Sequence, residues 1–284
     1  MVSTIGTPQS PPPDSERRVT WRGVARFGGE LMITAGLVLL LFVFYAVYVT
    51  DWFAARQQHA AAQQLHDRWQ QQRAEQPSGG TIPEPPPPEP GAGFARLHLP
   101  ALGPGLDFTV LEGTGTETLK RGPGHYEGTQ WPGAPGNFAV AGHRIGRGAP
   151  FNELDQLSSC DPLVVETAAR WYVYRVLPMP EEEAGWDGRG GDPRCAGVAP
   201  MGEPYGEVAG RRIVAPDRAE VIDPVPGEVV RGELPPNASR LITLTTCHPE
   251  YSARQRLIVH GVLTTEYPKI AGRPQLRPPE LEEG

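Results

Sequence analysis

The sequence predicts a mostly β protein: a closed barrel of short strands with few and short helices, preceded by one membrane-spanning helix and a stalk. Three observations predict it. An apolar run of 19 residues stands near the N-terminus. A helix-forming stretch and a Pro-rich stretch follow it, and beyond them short aromatic and β-branched runs alternate with Gly and Pro. The 284 residues suffice for one globular domain with appendages, and 33 Pro with 34 Gly mean that much of the chain is loop or linker. A net charge of −7 argues against a general nucleic-acid binder, which needs a basic face to displace counterions. Three cysteines without a CxxC pair exclude a disulfide-built miniprotein, a zinc ribbon and a CxxC redox site. Of 26 basic residues only Lys120 and Lys269 are lysines, a bias we attribute to a GC-rich genome.

In chain order, residues 1–30 read as a polar cytoplasmic tail and 31–50 as a transmembrane anchor. The run Leu31–Val49 carries no charge; at 1.5 Å per residue it spans roughly 29 Å, the thickness of a hydrocarbon core. Tyr45, Tyr48 and Trp52 sit toward its far end, where amphipathic rings favour the headgroup level. Arg17, Arg18, Arg22 and Arg26 precede it, so the positive-inside rule keeps the N-terminus cytoplasmic and sends the rest of the chain outside. A cleaved signal peptide would have a shorter apolar region ending in a small-residue site, which is missing here. Residues 51–75, rich in Ala, Gln and Arg without Gly or Pro, read as a helical stalk with no site on it. Residues 76–93, centred on PEPPPPEP, read as an extended polyproline spacer. Residues 269–284 read as a flexible tail.

The folded domain spans 94–268. Its candidate strands are Ala95–Leu99, Asp107–Leu111, Asn137–Ala141, Asp161–Glu166, Trp171–Pro178, Arg212–Val214, Arg240–Thr246 and Arg256–Thr264. Thr116–Gly122 and Asn152–Leu157 are each long enough for a turn or two of helix. So many short strands at this spacing predict barrel closure. Residues 179–210 form an insertion longer than a compact domain usually tolerates without regular structure.

Chemistry concentrates at three strand ends. Alternation puts Leu241, Thr243, Thr245 and Cys247 on one face, with the thiol at the strand exit and Pro249 ending the pairing. Taken alone, Cys247 is as readily a small buried hydrophobe as a nucleophile. The strand at Asn137 runs out into Gly142-His143, which leaves an imidazole at its exit. Arg256 opens another strand, where an arginine is ordinarily a solvated charge.

Together these segments resemble the sortases. TLTTC (Thr243–Cys247), the AGHR that holds His143, and Arg256 entering the next strand match the family's TLxTC, His and Arg signature. GPGHYEGTQWPGAPGNFAVAGHR and TLTTCHPEYSARQRLIVHG look most like the class E sortases of GC-rich Gram-positive bacteria. The resemblance covers Phe94 to Tyr267. It implies an eight-stranded sortase-like β-barrel and a cysteine transpeptidase that cleaves a C-terminal LAxTG- or LPxTG-like sorting signal between Thr and Gly. Cys247 would be the nucleophile, His143 its acid–base partner and Arg256 the oxyanion or substrate donor.

The resemblance further implies a substrate-contacting role for Tyr126, against which stands a packed loop aromatic. Thr246 reads as a substrate-binding residue that lines the site or adds a hydroxyl to it, although packing explains it equally well. His125, His248 and His260 read as surface or supporting residues. Implied partners are sorting-signal-bearing surface proteins, and an amine from a lipid II-type peptidoglycan precursor or a pilin lysine. The membrane is reached through the N-terminal helix; no nucleic acid, cofactor or metal is implied. The family gives the 179–210 insertion no role. With Cys247 reserved as a free thiol in an oxidising compartment, Cys160 and Cys195 remain to form a bridge. Rival readings are a catalytically inactive, membrane-tethered surface binding or assembly module, a papain-like peptidase, an L,D-transpeptidase and a thiol–disulfide oxidoreductase. The papain-like order puts Cys before His, and the Ser-His-Gly-Cys signature of L,D-transpeptidases is missing.

Overall fold

A computed structural model describes residues 21–45, 50–146, 148–228, 234, 235, 237–273 and 277–283. The tail expected before the anchor lies outside them up to residue 20. The chain divides into two compact units, Met1–Ala46 and Val47–Gly284. In the first, a single helix α1 (Trp21–Phe44) has an apolar window of mean hydropathy 2.1 and none of its residues buried. It is long and apolar enough to cross a membrane.

Among the described residues the second unit holds helix α2 (Thr50–Ala74), a four-residue helix α3 (Thr116–Leu119) and nine strands. These are β1 (Gly93–His98), β2 (Asp107–Glu112), β3 (Gly124–His125), β4 (Gly136–Ala141), β5 (Pro162–Glu166), β6 (Arg170–Val176), β7 (Arg211–Val214), β8 (Arg240–His248) and β9 (Gln255–Pro268). Each expected strand is present, and β3 is an addition too short for any periodicity to reveal. Neighbours run β6-β5-β1-β2-β3-β4-β8-β9, and β9 pairs again with β6, closing an eight-stranded barrel. Closure depends on the length of β9, whose one edge carries β7 at 256–259 and then β6 at 261–268. Two pairs are parallel, β2–β3 and β4–β8.

Alternation sorts the faces. Leu97, Val110, Phe138, Val140, Leu163, Val165, Tyr174, Ile242, Leu244, Leu257 and Val259 fill the barrel and are fully or almost fully buried. The central aromatic, Tyr174, has no exposed surface; its hydroxyl accepts from the Gly133 amide at 2.7 Å, and burial raises its pKa. The opposite face of β4, β8 and β9 looks outward and carries the functional groups.

The flanking segments differ from their expected character. Helix α2 is docked on the barrel: Leu65 and Trp69 are buried against Ala168, and Arg68 Nη2 donates to Gly93 O at 2.6 Å. The Pro-rich stretch is a strap. Gly79 N donates to Ala271 O at 2.8 Å, Ala271 N to Gly80 O at 2.9 Å, and Glu84 Oε1 accepts from Thr167 Oγ1 and Tyr172 OH. Prolines cannot donate to a ladder but still present carbonyls and rings, and Pro85–Pro88 line a cavity with Phe94 and Trp131. Buried Lys269 joins helix, strap and barrel. Its Nζ donates to Glu166 Oε1 at 2.7 Å and lies 4.6 Å and 4.9 Å from the centres of the Trp69 and Trp171 rings. The C-terminal segment folds back, with Glu283 gripping Arg175 through both carboxylate oxygens and Glu280 accepting from Tyr267 OH. The expected helix over 51–75 is present, but it, the spacer and the tail are held to the barrel by specific hydrogen bonds and buried side chains rather than standing clear of it.

The insertion packs as well. Tyr205 and Val208 cover Leu177, Leu241 and Val225 on the outer face, and Trp186 Nε1 donates to Val198 O. A disulfide joins Cys160 and Cys195, with Cα atoms 5.0 Å apart. For the 35-residue separation it closes, chain entropy gives it about 3–4 kcal/mol. Thiol titration of the denatured, unreduced chain should therefore find one thiol, that of Cys247. The Cys160→Ser/Cys195→Ser double variant should unfold earlier by roughly that free energy, and three titratable thiols in the wild type would contradict the bridge.

Candidate active site

The site is built at one end of the parallel β4–β8 pair. Six residue pairs run from Gly136↔Arg240 to Ala141↔Thr245 at a constant offset of 104 positions. The same offset continues past the end of β4. Gly142 N donates to Thr245 O at 3.0 Å, and Thr246 Oγ1 donates to Gly142 O at 2.8 Å. One step further, the offset matches His143 with Cys247. The antiparallel β8–β9 pairing then sets Cys247 directly opposite Arg256. Paired residues share a face, so Cys247 and Arg256 stand side by side on the outside of the barrel, and His143 follows the β4 exit at the position that the 104-residue offset matches to Cys247. All three are half-buried.

Local sequence explains the exit at His143. Gly142 points toward the barrel interior, where a Cβ would lie 2.5 Å from the Phe151 ring. Phe151 itself is fully buried, plugs that end of the barrel, and donates its amide to His143 O at 3.1 Å. Any larger residue at 142 would displace the plug or swing the imidazole away.

Cys247 keeps a free thiol. Arg256 Nη1 donates to the carbonyls of Ala253 and Gln255, both at 3.1 Å, which fixes the guanidinium at the mouth of the β8–β9 turn. Tyr126 stands beside the row: its hydroxyl lies 2.9 Å from Thr245 Oγ1, the residue two before the thiol on the same face. A buried knot props it there. His125 Nδ1 contacts Glu112 Oε2 at 2.7 Å, and Thr129 Oγ1 contacts both His125 Nε2 and Tyr126 O at 2.9 Å.

Thr246 does not line the groove. Alternation turns it to the face opposite Cys247, where it is buried and straps the His143 exit through Gly142 O. Thr245 is the threonine that shares the face of Cys247, where its hydroxyl meets Tyr126, and counting by two from Cys247 is enough to find it. His260 is a buried support. Thr243 Oγ1 donates to Asn137 Oδ1 at 2.7 Å, so its second contact, 2.9 Å from His260 Nδ1, is a donation by His260. Among the described residues no cluster of His, Cys, Asp and Glu suits a metal.

A thiol paired with a guanidinium, an imidazole at the exit of the neighbouring strand and a phenol on the same face suit nucleophilic acyl transfer. Residues 97–264 match the sortase domain family. The chain is 35% identical over 253 residues to sortase SrtE1 of Streptomyces coelicolor, covering 87% of this chain and 59% of that one, so it spans little more than half of that relative's length. It is 33% identical over 242 residues to sortase SrtE2 of the same organism, covering 83% and 80%. The SrtF sortase structure from Corynebacterium diphtheriae superimposes with a TM-score of 0.61 at 39% identity, covering 74% of this chain and all of that one.

Burial, and secondarily the Arg212 charge, push the His260 pKa down from 6.5 to about 3. The unfolded chain therefore takes up this proton below pH 6.5 while the folded chain stays neutral down to about pH 3. Its contribution to stability is complete above pH 6.5 and falls by up to about 1.4 kcal/mol per pH unit below it. The pH–stability curve of His260→Gln should be flatter than the wild-type curve between pH 6.5 and 4, and parallel curves would contradict a buried neutral imidazole.

Proposed function

The chain belongs to the sortase family, and on that premise we propose that it is a membrane-anchored cysteine transpeptidase of the class E kind. Helix α1 would be the anchor, with the N-terminus cytoplasmic and the barrel outside. The observation that supports the reading is the pairing of Cys247 with Arg256 across β8 and β9, beside a β4–β8 register whose offset leads His143 toward Cys247.

In the proposed reaction the Cys247 sulfur attacks the carbonyl carbon of a Thr–Gly bond in a sorting signal. The oxyanion that forms takes hydrogen bonds from Arg256, whose planar fork of fixed donors suits it. His143 passes a proton to the departing glycine amine, and the C–N bond breaks to leave a thioester on Cys247. A second amine, from a wall precursor or a pilin lysine, attacks the thioester, gives its proton to His143 and regenerates the thiol. A free thiol has a pKa near 8.5 and reacts as the thiolate, which is why a neighbouring imidazole matters. Tyr126 would meet the residue after the leading Leu, its hydroxyl favouring Ala over Pro there.

With the full chain in detergent, an LAxTG-type peptide and an oligoglycine acceptor, Cys247→Ala should abolish both cleavage and transfer. Arg256→Ala should lose roughly 10²–10³-fold in kcat, the scale of one lost oxyanion donor; near-normal turnover would remove Arg256 from the mechanism. Tyr126→Phe should narrow the LAxTG-over-LPxTG ratio of kcat/KM, and an unchanged ratio would count against that contact.

A further inference from the structure

We propose that Arg144 and His248 are a positioning pair that holds His143 and Cys247 at their working separation; the inference rests on reading those two as the reacting groups. Arg144 is only 4% exposed, rare for a guanidinium that must be kept bonded to stay charged in the interior. Its Nη1 lies 2.9 Å from His248 Nδ1, its Nη2 donates to Asp155 Oδ2 at 2.8 Å, and its Nε faces Glu250 Oε1 at 3.9 Å. A guanidinium offers donors only, so Nδ1 of His248 accepts and the neutral ring carries its proton on Nε2.

The placement gives this bond its role. Arg144 follows His143 and His248 follows Cys247, so the contact between them lies one step beyond the reacting pair at the same 104-residue offset. The backbone ladder between the two segments ends at Ala141↔Thr245. Beyond it the 104-residue offset is carried by Thr246 on Gly142 O, and then by Arg144 on His248. These two contacts bracket the position of the imidazole and thiol on either side. Asp155 holds the far edge of the guanidinium from the turn Leu154–Gln156, which Arg211 of β7 ties down by donating to Asp155 O. Reacting groups tolerate displacements well under an ångström, so a bond one step beyond them should affect turnover more than substrate binding.

The test uses the full chain in detergent with an LAxTG-type peptide and an oligoglycine acceptor. Arg144→Met and His248→Leu should each lower kcat at least tenfold with KM within threefold. The double variant should be no worse than either alone. His248→Asn, whose Oδ1 stands near the place of Nδ1 and accepts from Arg144, should recover most of what His248→Leu loses. Retention of kcat within twofold by both Arg144→Met and His248→Leu would overturn the pair, as would a His248→Asn as impaired as His248→Leu. Because Arg144→Met removes a buried charge, the two His248 variants decide the matter if it does not fold. Alkylation of Cys247 by iodoacetamide across pH needs no substrate. Its profile in Arg144→Met should move toward that of His143→Ala. If the wild-type chain leaves the peptide uncut, the transpeptidase reading fails, and an Arg144→Met alkylation profile identical to wild type then overturns the positioning pair on its own.

Discussion

The parallel pairing of β4 with β8 is the constraint on which the site depends. Parallel neighbours cannot be joined by a tight turn, and here the two strands are 104 residues apart in sequence, with β5, β6 and β7 between them. Once six pairs are in register at an offset of 104, the next residues out of the ladder must travel side by side. A one-residue slip would turn Cys247 into the interior and bring Thr246 outward, so the buried alternation of Ile242 and Leu244 protects the position of the thiol as well as the core. The same packing that stabilises the barrel thus selects which side chains meet outside it.

Much of the remaining structure keeps that register from fraying. The plug at Phe151 fits only because residue 142 is a glycine, and it closes the barrel beneath the imidazole. The β8–β9 turn is tightened by Arg256 itself, through the carbonyls of Ala253 and Gln255. Further away, the Lys269 ammonium holds Glu166 of β5 against the Trp69 ring of α2, while its backbone carbonyl accepts from Ile82 N of the strap. Burial there tends to raise the Glu166 pKa, but the His98 ring, with Nε2 3.4 Å from Oε2, and the charge of Lys269 outweigh it and hold the carboxyl below its usual range. A helix and a Pro-rich stretch that could have been a loose tether are in this way part of the folded unit.

The barrel was legible because it follows from periodicity, whereas the reacting residues were singled out by their resemblance to the sortase signature. Strand alternation and Gly/Pro punctuation delimit β1, β2 and β4–β9, and the TLTTC and AGHR segments place their polar residues at strand exits. Thr245 was legible too, yet the residue adjacent to the thiol in sequence drew the assignment; Thr246 shows that neighbours along a strand face opposite ways. The docked tail, strap and helix were not legible. Their hold comes from pairs such as Glu283–Arg175 and Glu84–Tyr172, separated by about a hundred positions, and composition carries no trace of such contacts. Nor could β3 be foreseen, since two residues contain no period.

The most direct measurement is mass spectrometry of the full chain after brief reaction with an LAxTG-type peptide in the absence of any acceptor amine, quenched in acid. Nucleophilic catalysis by Cys247 predicts an adduct equal in mass to the peptide up to and including its threonine acyl group, carried by the fragment that contains Cys247 and removed by adding oligoglycine. A chain that cleaves the peptide without such an adduct, or that carries it on another residue, would contradict it.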